Sequence, residues 1–306
     1  MPGRAGLQGK GRASVTALFH GHATIRAMVT AKASAAAAAP KARPAEDRHF
    51  VVALARGLEV LACFRSGTRL GNQDIARRCN LPKSTVSRLT ATLTRLGYLI
   101  QVEDSGKFRL GTATLSLGSA MLSKLDVRQI ARPWMEELSA FGKVEVALGT
   151  RDRLSMIYVE TCRNAKPPTP SLDVGSRIPV ATTAMGRAWL SAIDAAERED
   201  FLERVRKRDD TAWTQTRRGI ERAIHEHSTL GVTCSFGDWR KDINGIACAI
   251  HPGDDLPPMA ISCGGSAAKL SPQFLLGEVR PRLIAMVARI EDAIGIPRGG
   301  RRWPVR

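Results

Sequence analysis

Between residues 48 and 111 the apolar positions follow a helical period, break, follow it again, and then give way to a strand pattern. Val51, Leu54, Leu58, Leu61 and Phe64 fall three or four apart and predict a first helix beginning near Arg48. Residues 74–89 read as helix, tight turn and helix. In the last of these Val86, Leu89, Leu93 and Leu96 form one apolar stripe. After Gly97, two β-rich runs (98–102 and 107–110) flank Glu103-Asp104-Ser105-Gly106, a Gly-containing turn that predicts a hairpin. A two-helix unit followed at once by a hairpin is the order of a winged helix-turn-helix.

The stretch 112–124 carries Leu115, Leu117, Met121 and Leu122, with Leu125 just beyond. That is more apolar surface than a lone spacer should expose, so a linker helix contacting a second copy is expected. Pro133 lies near the expected start of the next helix, which runs to Phe141; proline is tolerated in a first turn. Alternating runs at 144–149 and 154–160 predict a hairpin around Thr150-Arg151-Asp152-Arg153, and 166–170 predicts a loop. Residues 177–188 pass from an extended stretch into a helix. Helices are expected at 194–208 and 216–229, and strands at 232–236, 243–250 and 259–263. A closing helix over 274–294 places Leu275, Val279, Leu283, Met286 and Ile290 on one face. Antiparallel strands flanked by helices predict an α+β layer fold.

Charge separates these two parts. The 306 residues carry a net +17, yet residues 48–111 hold 11 Lys/Arg against 4 acids, whereas 112–297 hold 24 against 23. A short basic domain joined to a long neutral one points to polyanion binding in the first and another task in the second. The ends 1–47 and 298–306 are basic tails. The first has Ala35 to Ala39 and no acid before Glu46, a composition that supplies no core. It fits a transit peptide or an over-extended, disordered start, the latter being the expectation, with Met28 an alternative initiator. No apolar run approaches the ~18 residues of a membrane span. The six cysteines (Cys63, Cys79, Cys162, Cys234, Cys248, Cys263) form no C-x-x-C pair and no zinc spacing. Buried reduced thiols, a cytoplasmic location, and neither metal nor cofactor are therefore expected.

The polar face of the helix after the turn carries Lys83, Ser84, Thr85, Ser87, Arg88, Thr92 and Arg95. In a major groove, cations meet phosphates and short polar groups reach base edges. A packed helical hairpin with a solvated face is the plainer alternative. The polar helix start, the wing and the local charge together favour DNA, with Lys83, Ser84, Thr85, Ser87 and Arg88 at the groove and Arg109 of the wing near phosphate.

Leu81-Pro82-Lys83-Ser84-Thr85, Arg88-Leu89, Leu93, Gly97-Tyr98-Leu99 and Arg109-Leu110-Gly111 resemble the DNA-binding domain of IclR-type transcriptional regulators. The resemblance continues through 175–188, the Gly245-Ile246-Ala247-Cys248 run and Ala260-Ile261-Ser262, and covers about 48–297. It implies a winged helix-turn-helix (48–111), a linker and dimerisation helix (112–125) and a GAF-like α/β effector-binding domain (126–297). It also implies a dimer or tetramer on a palindromic double-stranded DNA operator, sensing a small metabolite; the residues themselves point to a small carboxylate, a hydroxy or aromatic acid. The effector residues it implies are Ala184, Met185 and Gly186 at a helix start, Asp238 and Cys248, and Ser262 with Gly264 two apart on the last strand. Gly264 departs from a serine often found there, and Trp239 could wall an aromatic ligand.

Local chemistry supports a pocket there, since a helix start after Thr182-Thr183 presents unpaired N–H groups to a carboxylate. Simple capping by Thr182 or Thr183 is an equal alternative. Asp238 could equally be a turn residue and Cys248 a core thiol. An enzyme built on Cys248, His251 and Asp238 is disfavoured, because residues three apart on a strand point to opposite faces. A second domain that only oligomerises is the remaining alternative.

Overall fold

The computed structural model describes residues 50–64, 68–123, 125–164, 172–253 and 256–295. Both tails, Met28, Lys124 and the expected 166–170 loop lie outside the described residues.

Helix α1 (Val52–Ala62) is followed by a short strand β1 (Leu70–Gly71), α2 (Asn72–Cys79) and α3 (Lys83–Arg95). Asn80 ends α2 in the left-handed conformation (φ 53°, ψ 47°), and the Leu81 N–H reaches back to the Ala76 carbonyl at 3.0 Å. Pro82 then excludes a continuous helix and launches α3 in a new direction. Strands β2 (Leu99–Val102) and β3 (Lys107–Leu110) form the hairpin, and β1 adds to it in the order β1-β3-β2. Asp104 and Gly106 turn the chain with φ values of 65° and 59°. Val60, Phe64, Ile75, Val86, Leu99 and Phe108 close the core.

The stripe expected on α1 is only partly the buried one. Val60, Cys63 and Phe64 face the core, whereas Leu54 and Leu58 are exposed. The helix is apolar on two sides, and period alone does not say which side is covered.

Helix α4 (Thr112–Leu122) contains no buried residue, and Leu115, Leu117 and Met121 are exposed. Helix α5 (Asp126–Gly142) starts a full two turns before Pro133, which therefore sits in its interior. The apolar series Val127, Ala131, Met135 and Leu138, all buried, outweighs the lost hydrogen bond.

Strands β4 (Glu145–Asp152), β5 (Ser155–Cys162), β6 (Arg177–Pro179), β7 (Thr233–Phe236), β8 (Ile243–Ile250) and β9 (Met259–Ser266) make one antiparallel sheet, ordered β6-β5-β4-β9-β8-β7. Helices α6 (Ala184–Ala192), α7 (Ala195–Arg208) and α8 (Trp213–Leu230) precede β7 and cover one face. Helix α5 and the C-terminal helical segment cover the other. That segment is not one regular helix. A turn at Pro272–Phe274 leads into a π-helical stretch Leu275–Val279 before α9 (Arg280–Ala293), and the Arg280 N–H bonds the Leu275 carbonyl five residues back. Pro281 has no N–H to continue the ladder, and the wider turn accommodates its ring.

Period-2 alternation assigns the strand residues. Ile246, Cys248 and Ile250 with Met259, Ile261 and Cys263 face α5 and α9. Ala147, Ala247 and Ala260 face α6. Small side chains there let α6 lie close to the sheet. A bulge at Val159 breaks the β4–β5 register: Leu148 pairs with Glu160, but Gly149 pairs with Tyr158. Tyr158 consequently faces α6, while Glu160 meets Arg128 and Arg132 of α5 at 2.7 and 2.9 Å.

Candidate functional site

Two surfaces carry the chemistry. On the first, Lys83, Ser84, Ser87 and Arg88 are exposed along α3, Thr85 is half-buried, and Val86 and Thr90 turn inward. The Thr90 hydroxyl donates to Asn72 Oδ1 (3.1 Å) and ties α3 to α2. Arg109 is exposed on β3. Among the described residues Lys83, Arg88, Arg95, Lys107 and Arg109 make no ion pair with an acid, so their charge is available to phosphate. All six sequence-predicted DNA residues therefore lie on α3 or the wing, and none is buried.

The second surface is a cleft of about 110 Å³ between the sheet and the start of α6. It is smaller than the engineered cavity of about 150 Å³ that holds benzene, and it opens to solvent. Ala184 and Met185 line it from α6, Trp239 from the loop after β7, and Ser262 and Gly264 from β9. Thr183 caps α6: its hydroxyl accepts from the Gly186 N–H (3.2 Å) and donates to the Pro179 carbonyl (2.6 Å). The capping alternative thus holds for the third N–H of the helix, while Ala184 and Met185 remain at the cleft wall.

Three predicted residues stand elsewhere. Gly186 does not line the cleft; it packs on Val180, where a Cβ would lie 2.1 Å from the carbonyl oxygen. Cys248 faces the opposite layer, buried with its Sγ 3.3 Å from the Gly231 carbonyl, because β8 alternates and Ala247 takes the α6 side. Burial holds its thiol proton well above the ordinary range. Asp238 is a bridge: its carboxylate accepts from Arg187 of α6 and, at 3.0 Å, from Arg222 of α8. Cys248 on the α5 side of the sheet and Asp238 held by Arg187 and Arg222 are not brought together as parts of a nucleophile–base–orienter set. Among the described residues no group of His, Cys, Asp and Glu could hold a metal, and no helix is long and apolar enough to cross a membrane.

Other cleft residues escaped the sequence. Tyr158 is buried; burial, then Glu145, pushes its hydroxyl pKa up, and the neighbouring Ser262 hydroxyl opposes the shift. Glu145 lines the cleft and pairs with Arg163 (2.8 Å), whose other nitrogens reach Asp173 (2.9 Å) and the Leu172 carbonyl. Asn244 donates to the Leu270 carbonyl at 2.9 Å. At Gly264 a Cβ would stand 2.7 Å from the Asn244 carbonyl oxygen, which accounts for glycine at this strand position. Arg187 is a deeply buried charge, 3% exposed, donating to Cys234 O (2.8 Å), Ala181 O (3.2 Å) and Asp238. A lone cation in the apolar run Ala184-Met185-Gly186-Arg187-Ala188-Trp189-Leu190 was the available signal.

The family description "Bacterial transcriptional regulator IclR C-terminal" matches residues 119–292, and "IclR helix-turn-helix domain" matches 53–103. The chain belongs to the IclR family. An IclR regulator of Comamonas testosteroni, TsaQ1/TsaQ2, is 37% identical over 79% of this chain and 88% of its own length. The glycerol operon regulatory protein of Streptomyces coelicolor is 27% identical over 83% and 98%. A solved IclR regulator from Brucella abortus is 41% identical, covers 83% of this chain and 96% of its own, and superposes with a TM-score of 0.71. An IclR homolog from Microbacterium hydrocarbonoxydans, solved with 4-hydroxybenzoate, shares the fold (TM-score 0.64, 22% identity, 80% and 100% coverage). IclR proteins are transcriptional regulators and not enzymes, and this chain is a DNA-binding member: a helix-turn-helix domain followed by an α/β domain.

Proposed function

We propose that residues 48–111 read a palindromic operator as part of a dimer or dimer of dimers joined through 112–125, and that 126–297 sense a small organic acid. Lys83, Ser84, Thr85, Ser87 and Arg88 enter the groove and Arg109 contacts phosphate. The free polar face of α3 supports this, and the uncovered Leu115, Leu117 and Met121 support the linker contact. Two recognition helices then sit about one DNA turn, ~34 Å, or a multiple apart.

The observation that carries the sensor reading is the start of α6 on a largely apolar, open cleft whose far wall bears Ser262, Tyr158 and Glu145. The ligand carboxylate meets the first-turn N–H groups of Ala184 and Met185, where the helix dipole favours an anion. Its ring rests on Met185 and Trp239. A ring hydroxyl meets Ser262 and Tyr158, with Glu145 as acceptor. Asp238, held between Arg187 and Arg222, sets the loop carrying Trp239, and its charge does not oppose the ligand. The class this fits is the hydroxylated aromatic acid. The domain is thereby a sensor and not only an oligomerisation module.

Titration calorimetry with 4-hydroxybenzoate on the wild type and Ser262→Ala tests the proposal. One lost hydrogen bond of about 1 kcal/mol weakens binding about fivefold. Equal affinity in both proteins, or no heat with any benzoate offered, overturns the assignment.

A further inference from the structure

In the core of the winged helix-turn-helix, Cys63 Sγ and Cys79 Sγ stand 3.1 Å apart. Cys63 sits in the turn just past α1, and Cys79 is the last residue of α2. Both are buried, at 4% and 8% exposure. A disulfide bond is about 2.05 Å long, so closure asks for an approach of about 1 Å. Cys63, beyond the helical ladder of α1, can supply it more readily than a residue in mid-helix. None of the other four cysteines hydrogen-bonds a second sulfur among the described residues, and the DNA-binding proposal uses neither Cys63 nor Cys79.

We propose that Cys63 and Cys79 are a reversible dithiol–disulfide pair within the DNA-binding domain, oxidised by small hydroperoxides. The oxidant class follows from burial, since hydrogen peroxide enters where a bulky disulfide does not. Either sulfur can donate in the shared hydrogen bond; that bond, then burial, raises the Cys79 pKa far above the thiol range. Cys63, in the turn beyond α1, is the freer to move and is taken as the attacking sulfur; the Arg78 guanidinium, 3.1 Å from the Cys63 carbonyl, adds positive charge near the pair. The buried Glu59 opposes ionisation, so the reaction is slow compared with a dedicated peroxidase thiol.

The chemistry balances in two steps. The Cys63 thiolate attacks one peroxide oxygen; an S–O bond forms, the O–O bond breaks, and hydroxide leaves to take up a proton, giving a sulfenic acid and water. The Cys79 sulfur then attacks Cys63; the S–S bond forms, the S–O bond breaks, and a second water departs. Two thiols and one peroxide become one disulfide and two waters, with two electrons passing from sulfur to oxygen. A dithiol reductant reverses the change by exchange.

The test treats the full chain with hydrogen peroxide, alkylates it after denaturation, and maps peptides by mass spectrometry without reduction. Expected is a Cys63–Cys79 linked pair two hydrogens lighter than the separate peptides, abolished by dithiothreitol, with Cys162, Cys234, Cys248 and Cys263 alkylated. In Cys79→Ser, or in Cys79→Ala should the serine fail to fold, Cys63 stops as a sulfenic acid captured by dimedone. Recovery of both Cys63 and Cys79 as alkylated thiols after prolonged treatment with hydrogen peroxide in large molar excess overturns the proposal. So does passage to sulfinic acid without a cross-link.

Discussion

Replacing Arg187 by Met keeps an unbranched, shorter apolar side chain and removes three donated bonds from the interior. Two of them end on backbone carbonyls, Cys234 O and Ala181 O, and an acceptor left unsatisfied in a buried place costs about 1–3 kcal/mol. The third is the ion pair to Asp238. Removing one member of a buried pair costs about 3–5 kcal/mol. Here the stranded partner keeps Arg222 at 3.0 Å and is 29% exposed, so the lower end applies. These costs overlap, because the same guanidinium serves all three acceptors, and a net loss of about 3 kcal/mol is expected. For a domain of this size 1 kcal/mol corresponds to about 2–4 °C, so the midpoint of its unfolding falls by about 6–12 °C. Calorimetric melts of wild type, Arg187→Met, Asp238→Asn and the double variant measure it, and the cycle returns the pairwise coupling. Asp238→Asn alone is milder, since the amide oxygen still accepts. A loss in Arg187→Met below about 1 kcal/mol would refute the claim that this cation holds α6, β7 and the loop after it together.

Arg88→Ala weakens operator binding by about 1–3 kcal/mol if Arg88 contacts a base edge, and wild-type affinity in a mobility-shift titration argues against that placement. Light scattering at micromolar concentration returns at least twice the 33.1 kDa chain mass, and a charge at Leu117 shifts the protein toward monomer; a wild-type monomer contradicts the linker contact. Burial raises the pKa of Glu59 against the opposing pull of Arg56, so folding stability is highest below the unfolded value of 4.5 and declines as pH rises through the folded value. Glu59→Gln removes that penalty and raises the melting temperature at pH 7; an unchanged or lower temperature shows that the carboxylate is stabilised where it sits.

The DNA-binding half was legible because its signals are local. A stripe of Val86, Leu89 and Leu93, a left-handed Asn80 before Pro82 and a Gly-containing hairpin lie within thirty-odd residues, and each depends on near neighbours. Misreadings arose where a second element decides. Leu54 and Leu58 belong to a helix with two apolar sides, and Pro133 to a helix whose packing overrides proline. The cleft was half legible for the same reason. A helix start can be read from Thr183 and the residues after it, and Ser262 from its strand. Cys248 was misplaced because a motif names residues without saying which face of the sheet they take; alternation from Ala247 answers that once the strand is paired. Tyr158 was missed because its place in the cleft depends on a register shift between two strands, and Glu145 because its place depends on pairing with β9; neither leaves a mark in one strand alone.

The extra residue at Val159 reaches further than local geometry. In a regular strand Tyr158 and Glu160 would share a face, and a change at one would be felt at the other through common neighbours. The insertion uncouples them. The segment before it faces the cleft, while the segment after it anchors α5 through Arg128 and Arg132. Under the sensor role proposed above, a substitution at Tyr158 leaves that anchorage in place, whereas without the shift of register Tyr158 and Glu160 would lie on one face of the sheet.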